Sequence, residues 1–455
     1  MKYDVVVIGS GPGGYVAAIR SAQLGLKTAC IEKASTLGGT CLNVGCIPSK
    51  ALLQSSEHFA WMQQDSKEHG ISCQNLAFDL SQMMSRKTKV VEGLVQGVAW
   101  LFKKHNIDSI RGTATLLPDH QISIEGKTVE FKNCILATGS EPIALPFLPF
   151  DEKVIVSSTG VLSLSKVPKR MLVIGAGVIG VELASVYRRL GSEVTIVEML
   201  ERICPTMDEG LSKALWQSLK KQGMTFHLGS KVVGAERTKT GISVQVDQNR
   251  IEVDVVLVAI GRKPYTKSLG LENCKIDLQR GFVTVDANFQ TSMPGVYAIG
   301  DLIEGPMLAH KASEEGFAVA EILAGNRPHV NYMAIPNVIY THPEVASVGY
   351  TVEEAKQSGL EIVVGESSFK GNPRARCGGF TEGFVKVIGF GPNKHLIGMH
   401  IIGPQASELI DVGVMAIENR TTLKVLAQAP HAHPTLAECI KEACGQALNC
   451  AIHSQ

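Results

Sequence analysis

Two glycine loops, one near residue 9 and one near residue 175, restrict the fold of this chain more than any other feature. The run YDVVVIG leads into Gly9, Gly11 and Gly14, and the run RMLVIG leads into Gly175, Gly177 and Gly180. Each run is short, continuous and apolar, the pattern of a strand buried on both faces of a parallel sheet. A helix-forming stretch follows each loop and closes at a glycine, Gly25 or Gly191. A second strand follows, KTACIE or EVTIVE, ending at Glu32 or Glu198. Gly9 and Glu32 lie 23 positions apart, and so do Gly175 and Glu198. The first glycine of such a loop makes the turn, the second lets a pyrophosphate approach the backbone, and the third lets helix and strand pack closely. The helix N-terminus then faces the phosphate charge. The terminal carboxylate binds ribose hydroxyls, and Glu198 favours NAD by repelling the 2′-phosphate of NADP. Arg202 nearby reads as a solvated surface charge. One loop alone can be a tight βα turn and nothing more; two at one internal spacing point to two nucleotide-binding domains.

At 455 residues the chain exceeds one ordinary domain and has room for three or four. ILATGS (135–140) and GVYAIGD (295–301) read as further apolar strands of the first domain, and the Pro-rich stretch 142–149 as a linker. From about residue 332 strands and amphipathic helices alternate without a nucleotide loop. The expected division is 1–143 and 144–268 for the two nucleotide-binding domains, 269–331 for a segment returning to the first, and 332–455 for a C-terminal α+β domain. A net charge of +1 supplies no field for nucleic acid or an anionic membrane. No apolar run reaches the roughly 20 residues of a membrane span. The opening MKYDVVVIGSGPGG has no signal- or transit-peptide pattern, and the expectation is a cytoplasmic protein. The 11 cysteines are odd in number and scattered, which fits thiols kept reduced, any disulfide being catalytic.

The stretch GGTCLNVGCIPSK (38–50) carries the most specific chemistry. On an ideal helix Cα atoms five residues apart lie about 8.7 Å from each other. A disulfide needs less than roughly 7 Å. A bond between Cys41 and Cys46 therefore requires a distorted turn, and Gly45 supplies backbone freedom for one. Two unrelated thiols, or half of a zinc site, are the competing readings; zinc needs further ligands, and no second Cys pair at metal-site spacing follows.

This stretch resembles the redox motif of the class I flavoprotein disulfide reductases, and the form CLNVGCIPSK resembles that of the dihydrolipoyl dehydrogenases among them. The similarity continues in order through GAGVIGVELASVY, VAIGRKP, YAIGDLIEGPMLAHKASEEG, PNVIYTHPEVASVG and HAHPTLAE, over essentially the whole chain. The resemblance implies an α/β architecture of two Rossmann-like domains, the first for FAD and the second for NAD, with a C-terminal α+β dimerisation domain. It implies that Cys41 meets the substrate and Cys46 faces the flavin. It places Lys50 near the flavin ring and Asp301 at the ribityl-phosphate region. Lys33, Gly39, Thr40, Ala114, Thr138, Gly139 and Ala309 match further FAD-lining positions. Glu182 matches a residue beside the nicotinamide, and Val232 and Gly261 match other NAD contacts. On residue type alone, Lys50 and Glu182 are helix-surface charges.

HAHPTLAE holds His431, His433 and Glu438. In an extended segment the two histidines share a face, but as a pair they lack the remaining ligands of a zinc site. Thiol chemistry needs a base, and a carboxylate can orient an imidazole. By resemblance His433 is that base and Glu438 its partner, with His431 structural, Cys439 and Cys444 core thiols, and no metal. In this family the histidine of one subunit completes the disulfide site of the other, which implies a homodimer. The implied reaction oxidises dihydrolipoamide on a lipoylated acyltransferase or on a glycine-cleavage carrier protein, with electrons passing to NAD⁺. Rivals are glutathione-, mercuric- and thioredoxin-reductase-like enzymes, and a flavin-binding subunit without turnover. The last is at odds with intact Cys41, Cys46, His433 and Glu438.

Overall fold

A computed structural model describes residues 2–239 and 241–453. The chain divides into two compact units, each assembled from three separate segments.

The first unit comprises Met1–Ala51, Ser81–Ile143 and Gly261–Val330. The apolar run after the N-terminus forms the strand Lys2–Ile8, whose Val5, Val6 and Val7 are fully buried. It lies between two parallel neighbours, Thr28–Glu32 on one side and Lys127–Leu136 on the other. Asp108–Arg111 extends the sheet beyond Thr28–Glu32, and Val296–Ala298 pairs in parallel with the end of Lys127–Leu136. Ala114–Leu117 and Gln121–Ile124 add an antiparallel ribbon to the start of the same strand. The helix Pro12–Gln23 follows the first strand, with proline in its first turn, where a missing N–H costs nothing. It packs against the helix Ala309–Leu323.

The second unit comprises Leu52–Leu80, Ala144–Ile260 and Asn331–Gln455. A five-stranded parallel sheet runs in the order Thr225–His227, Glu193–Val197, Arg170–Ile174, Val255–Val258, Ile155–Val156. A three-stranded antiparallel sheet, Val232–Arg237, Ile242–Val246 and Asn249–Val253, shares an apolar cluster with it. The C-terminal part builds a five-stranded antiparallel sheet in the order Asn337–Ile339, Glu344–Gly349, His395–Gly403, Phe384–Phe390, Ile362–Ser368. Helices Ala406–Glu418 and Glu438–Ala447 cover it around a separate apolar cluster that includes Cys439 and Cys444. Asp208 links the two parts: it caps the helix Glu209–Lys221 and receives Lys386 Nζ from the C-terminal sheet at 2.6 Å. No helix among the described residues is long and apolar enough to cross a membrane.

Candidate active site

The two glycine loops have one geometry. Gly9 and Gly175 are left-handed, at φ +99° and +100°. A Cβ on Gly9 would lie 2.4 Å from Ala137 O, and one on Gly175 would lie 2.5 Å from Ala259 O. A Cβ on Gly14 would lie 1.9 Å from Gly9 O, and one on Gly180 would lie 2.0 Å from Gly175 O. The middle glycine differs: at Gly11 or Gly177 a Cβ meets nothing within 4 Å. Each loop is therefore closed by backbone on two sides, by a residue distant in sequence at its first glycine and by its own carbonyl at its third, and open at the position where a pyrophosphate must approach. A side chain at Gly11 or Gly177 would occupy that opening, so the loops fit dinucleotides.

The acidic residues sit where the spacing predicts. Glu32 accepts from Ser10 N (2.9 Å), Ser10 Oγ (2.7 Å) and Ala34 N (2.9 Å). Glu198 accepts from Ala176 N (2.8 Å) and Leu200 N (2.9 Å). These donors hold each carboxylate in one orientation beside its loop and leave further lone pairs for ribose hydroxyls. Arg202 donates to Pro205 O at 2.7 Å, a local backbone contact.

The cysteine stretch touches the first loop. Gly38 N donates to Ser10 O (3.0 Å) and Ser10 Oγ (3.1 Å), and a Cβ on Gly39 would lie 2.6 Å from Gly11 Cα. Thr40 and Cys41 then fall in the short helix Gly39–Val44, while Cys46 begins the helix Cys46–Gln64. The break between them is Gly45, at φ −135° and ψ −115°, where a Cβ would lie 2.9 Å from Thr40 O. Both cysteines are thiols here. The Cys41 thiol is pushed up, first by its hydrogen bond with Cys46, then by burial and by charge on the neighbouring sulfur; Lys50 pulls it the other way.

Elsewhere the first unit joins positions distant in sequence. Asp301 accepts a hydrogen bond from Ser140 Oγ, which also receives Arg262 Nε at 2.7 Å. Thr138 Oγ1 donates to Tyr265 O at 2.7 Å, Tyr265 N donates to Gly139 O at 2.9 Å, and the Lys33 ammonium stands 3.5 Å from the Tyr265 ring centroid. Ala114 is buried at the start of its strand, and Ala309 opens its helix. Gly261 has φ +127° and accepts from Ile143 N. In the second unit Glu182 is buried, and its carboxylate accepts from Tyr340 N at 2.9 Å. Val232 begins an antiparallel strand.

His433 Nδ1 lies 2.9 Å from Glu438 Oε1, and the imidazole remains 68 % exposed. Burial pushes the Glu438 carboxyl up, but hydrogen bonds from Thr435 N and His433 outweigh it and hold the group below the ordinary carboxylate range. His431 Nδ1 faces Ala429 O at 3.0 Å. Sequence reasoning did not single out Ser10, Arg262, Tyr265 or Tyr340. Ser10 lies inside the first loop and was open to inspection; the others reach their partners across long sequence separations that no local pattern marks.

Residues 3–316 match the model of the pyridine nucleotide-disulphide oxidoreductase family, and residues 335–444 match the dimerisation domain of that family. The chain is 48% identical over 458 residues to the dihydrolipoyl dehydrogenase of Trypanosoma brucei brucei, covering 97% of this chain and 96% of the relative. It is 47% identical over 462 residues to the mitochondrial dihydrolipoyl dehydrogenase of Pisum sativum, covering 99% and 92%. Among solved structures it is similar to the HOCl-induced flavoprotein disulfide reductase RclA from Escherichia coli, with a TM-score of 0.88 at 27% identity over 97% of this chain and 99% of that one. Doubled loops, a helix interrupted between two cysteines and near full-length identity to such relatives thus agree: the chain belongs to the pyridine nucleotide-disulphide oxidoreductase family and carries its dimerisation domain.

Proposed function

We propose that the chain is a dihydrolipoyl dehydrogenase, which oxidises protein-bound dihydrolipoamide and passes the electrons to NAD⁺. The observation that carries this reading is the placement of Cys41 and Cys46 on either side of the Gly45 break, in the segment packed against the first glycine loop. Near full-length identity to dihydrolipoyl dehydrogenases supports the choice of dithiol.

In the proposed reaction His433, held by Glu438, takes the proton from one substrate thiol. The resulting thiolate attacks Cys41 Sγ of the oxidised pair. The Cys41–Cys46 bond breaks, and Cys46 leaves as a thiolate. The second substrate thiol displaces Cys41 from the mixed disulfide, forming lipoamide and leaving two reduced cysteines. The substrate loses two electrons and the cysteine pair gains two. FAD, when bound, supplies the redox relay from Cys46 to NAD⁺. The first loop, Glu32, Lys33, Gly39, Thr40, Lys50, Ala114, Thr138, Gly139, Asp301 and Ala309 would hold the flavin nucleotide. The second loop, Glu182, Glu198, Val232 and Gly261 would hold NAD.

The same reading divides the chain into an FAD domain (1–143), an NAD domain (144–268), a returning segment (269–331) and an interface domain (332–455). It assigns a homodimer in which His433 serves the partner's cysteines, working on a lipoylated acyltransferase or glycine-cleavage carrier. It places the chain in the cytoplasm, where thiols persist. The exposed imidazole of His433 suits a group completed by another surface.

Subunit mixing tests the shared site. Cys41→Ser and His433→Ala homodimers each lack an essential group in both sites. After dissociation and reassociation in equal amounts, mixed dimers gain one intact site, and about a quarter of wild-type activity returns. No recovery despite demonstrated subunit exchange rules the shared site out.

A further inference from the structure

We infer that Asn372 is the positioning residue that holds the His433–Glu438 pair in working geometry for thiol deprotonation. The assignment presupposes the role proposed above for His433.

His433 and Glu438 must keep a hydrogen bond between an irregular segment and the first residue of the helix Glu438–Ala447. Irregular segments hold a geometry only where specific bonds fix them. Two such bonds are local. Thr435 N donates to Glu438 Oε2 at 2.8 Å, and Thr435 Oγ1 donates to Ala432 O at 2.8 Å. Asn372 supplies a third from a remote part of the C-terminal domain: its Nδ2 donates to Thr435 O at 2.9 Å. Thr435 is thus gripped on both backbone faces, its N–H by the carboxylate that orients His433 and its C=O by Asn372.

The Asn372 side chain is fixed in its turn. It is buried, at 4 % exposure. Its Oδ1 accepts from Ala375 N at 2.9 Å, capping the helix Pro373–Gly378, and its backbone N–H donates to the carbonyl of Phe369, a core residue. Ala375 N can only donate and Thr435 O can only accept, so a flipped amide would oppose donor to donor and acceptor to acceptor. One orientation satisfies both ends. The side chain therefore cannot leave Thr435 by rotating its amide without also losing the cap.

The consequence falls on Glu438. Its carboxyl sits low because Thr435 N and His433 together outweigh its burial. When Thr435 is released, that support weakens, and Glu438 protonates at higher pH. A group with a depressed pKa gives its benefit above that pKa and loses it as pH falls, so the charge that orients His433 is lost at a higher pH than in the wild type.

The test uses Asn372→Ser in the holoenzyme. Serine caps a helix as well as asparagine does, but its hydroxyl stops short of Thr435 O. Two rates are compared: dihydrolipoamide oxidation by NAD⁺, which needs the thiol base, and NADH oxidation by ferricyanide, which does not. The expected result is a roughly tenfold lower kcat for dihydrolipoamide, well within the range that a positioned base contributes. The ferricyanide rate stays unchanged. Asn372→Asp keeps the cap acceptor and sets an oxygen against Thr435 O, and the dithiol rate falls further. A ferricyanide rate that declines in step with the dithiol rate makes Asn372 merely structural and overturns the inference. His433→Ala separates the two proposals. If it abolishes dithiol turnover while Asn372→Ser keeps the wild-type kcat, the role of Asn372 alone is wrong. If His433→Ala itself retains turnover, the proposed role of His433 falls first.

Discussion

The first and second glycine loops match in spacing, left-handed entry and closed third position, yet they differ at the residue after the first glycine. That residue is Ser10 in one and Ala176 in the other. The Ser10 hydroxyl donates to Glu32 and accepts from Gly38 N, so it joins the acidic residue to the start of the cysteine stretch. Ala176 has no side-chain donor, and its carbonyl accepts from Cys204 N instead. Both loops suit a dinucleotide, but only the first is wired through a side chain to the redox segment. One backbone solution is thus used twice, and a single hydroxyl marks which copy serves the cysteines.

The third glycine gives the strongest way to break this comparison. Alanine at Gly14 or at Gly180 drives a Cβ into a carbonyl of its own loop at 1.9 or 2.0 Å. Overpacking of this kind costs up to about 3 kcal/mol. Gly14→Ala should lose flavin and, with it, both the dithiol and the ferricyanide rates. Gly180→Ala should retain yellow flavin and lose NAD-dependent turnover. Flavin content after gel filtration decides, and loss of flavin in Gly180→Ala overturns the assignment of the second loop.

A smaller effect is expected at Glu198. Glu198→Ala removes the charge that repels a 2′-phosphate and should narrow the preference for NAD⁺ over NADP⁺ by about tenfold, or ~1.4 kcal/mol. The ratio of kcat/KM for the two nucleotides measures it, and a wild type indifferent between them removes the basis for the idea. Smallest is Ser10→Ala, which gives the first loop the residue of the second. Loss of the bond to Glu32 should cost about 1 kcal/mol in equilibrium unfolding. It should also speed alkylation of Cys41 by loosening the tether at Gly38, and an unchanged rate would show that the hydroxyl does not couple loop to thiol.

The loops were legible in sequence because their requirements are local. A turn, an open backbone and an acidic residue at a set distance all fall within 24 residues, and both copies fold as that pattern implies. The break at Gly45 was legible for the same reason, since two cysteines five apart cannot meet on a regular helix. The antiparallel strands Val232–Arg237, Ile242–Val246 and Asn249–Val253 and the long helix Leu80–Lys104 escaped notice, although each has a local pattern of its own. The network of Asp301, Ser140 and Arg262 was not legible at all, because its members lie far apart in sequence and have no common spacing. Asn372 was hidden differently. As a cap of a six-residue helix it looks ordinary, and its second hydrogen bond is visible only in three dimensions.

The threading of the first unit also bears on how the molecule is made. Val296–Ala298 completes its sheet by pairing with Cys134–Leu136, after the whole segment Ala144–Ile260 of the other unit has been inserted. During synthesis the edge of the strand at residues 134–136 must therefore wait, uncovered and apolar, until a strand more than a hundred residues downstream emerges from the ribosome. A waiting strand edge is a template for wrong partners. Nascent chains stalled between the two strands should be the aggregation-prone species, and their yield should depend on chaperones more than that of the finished protein.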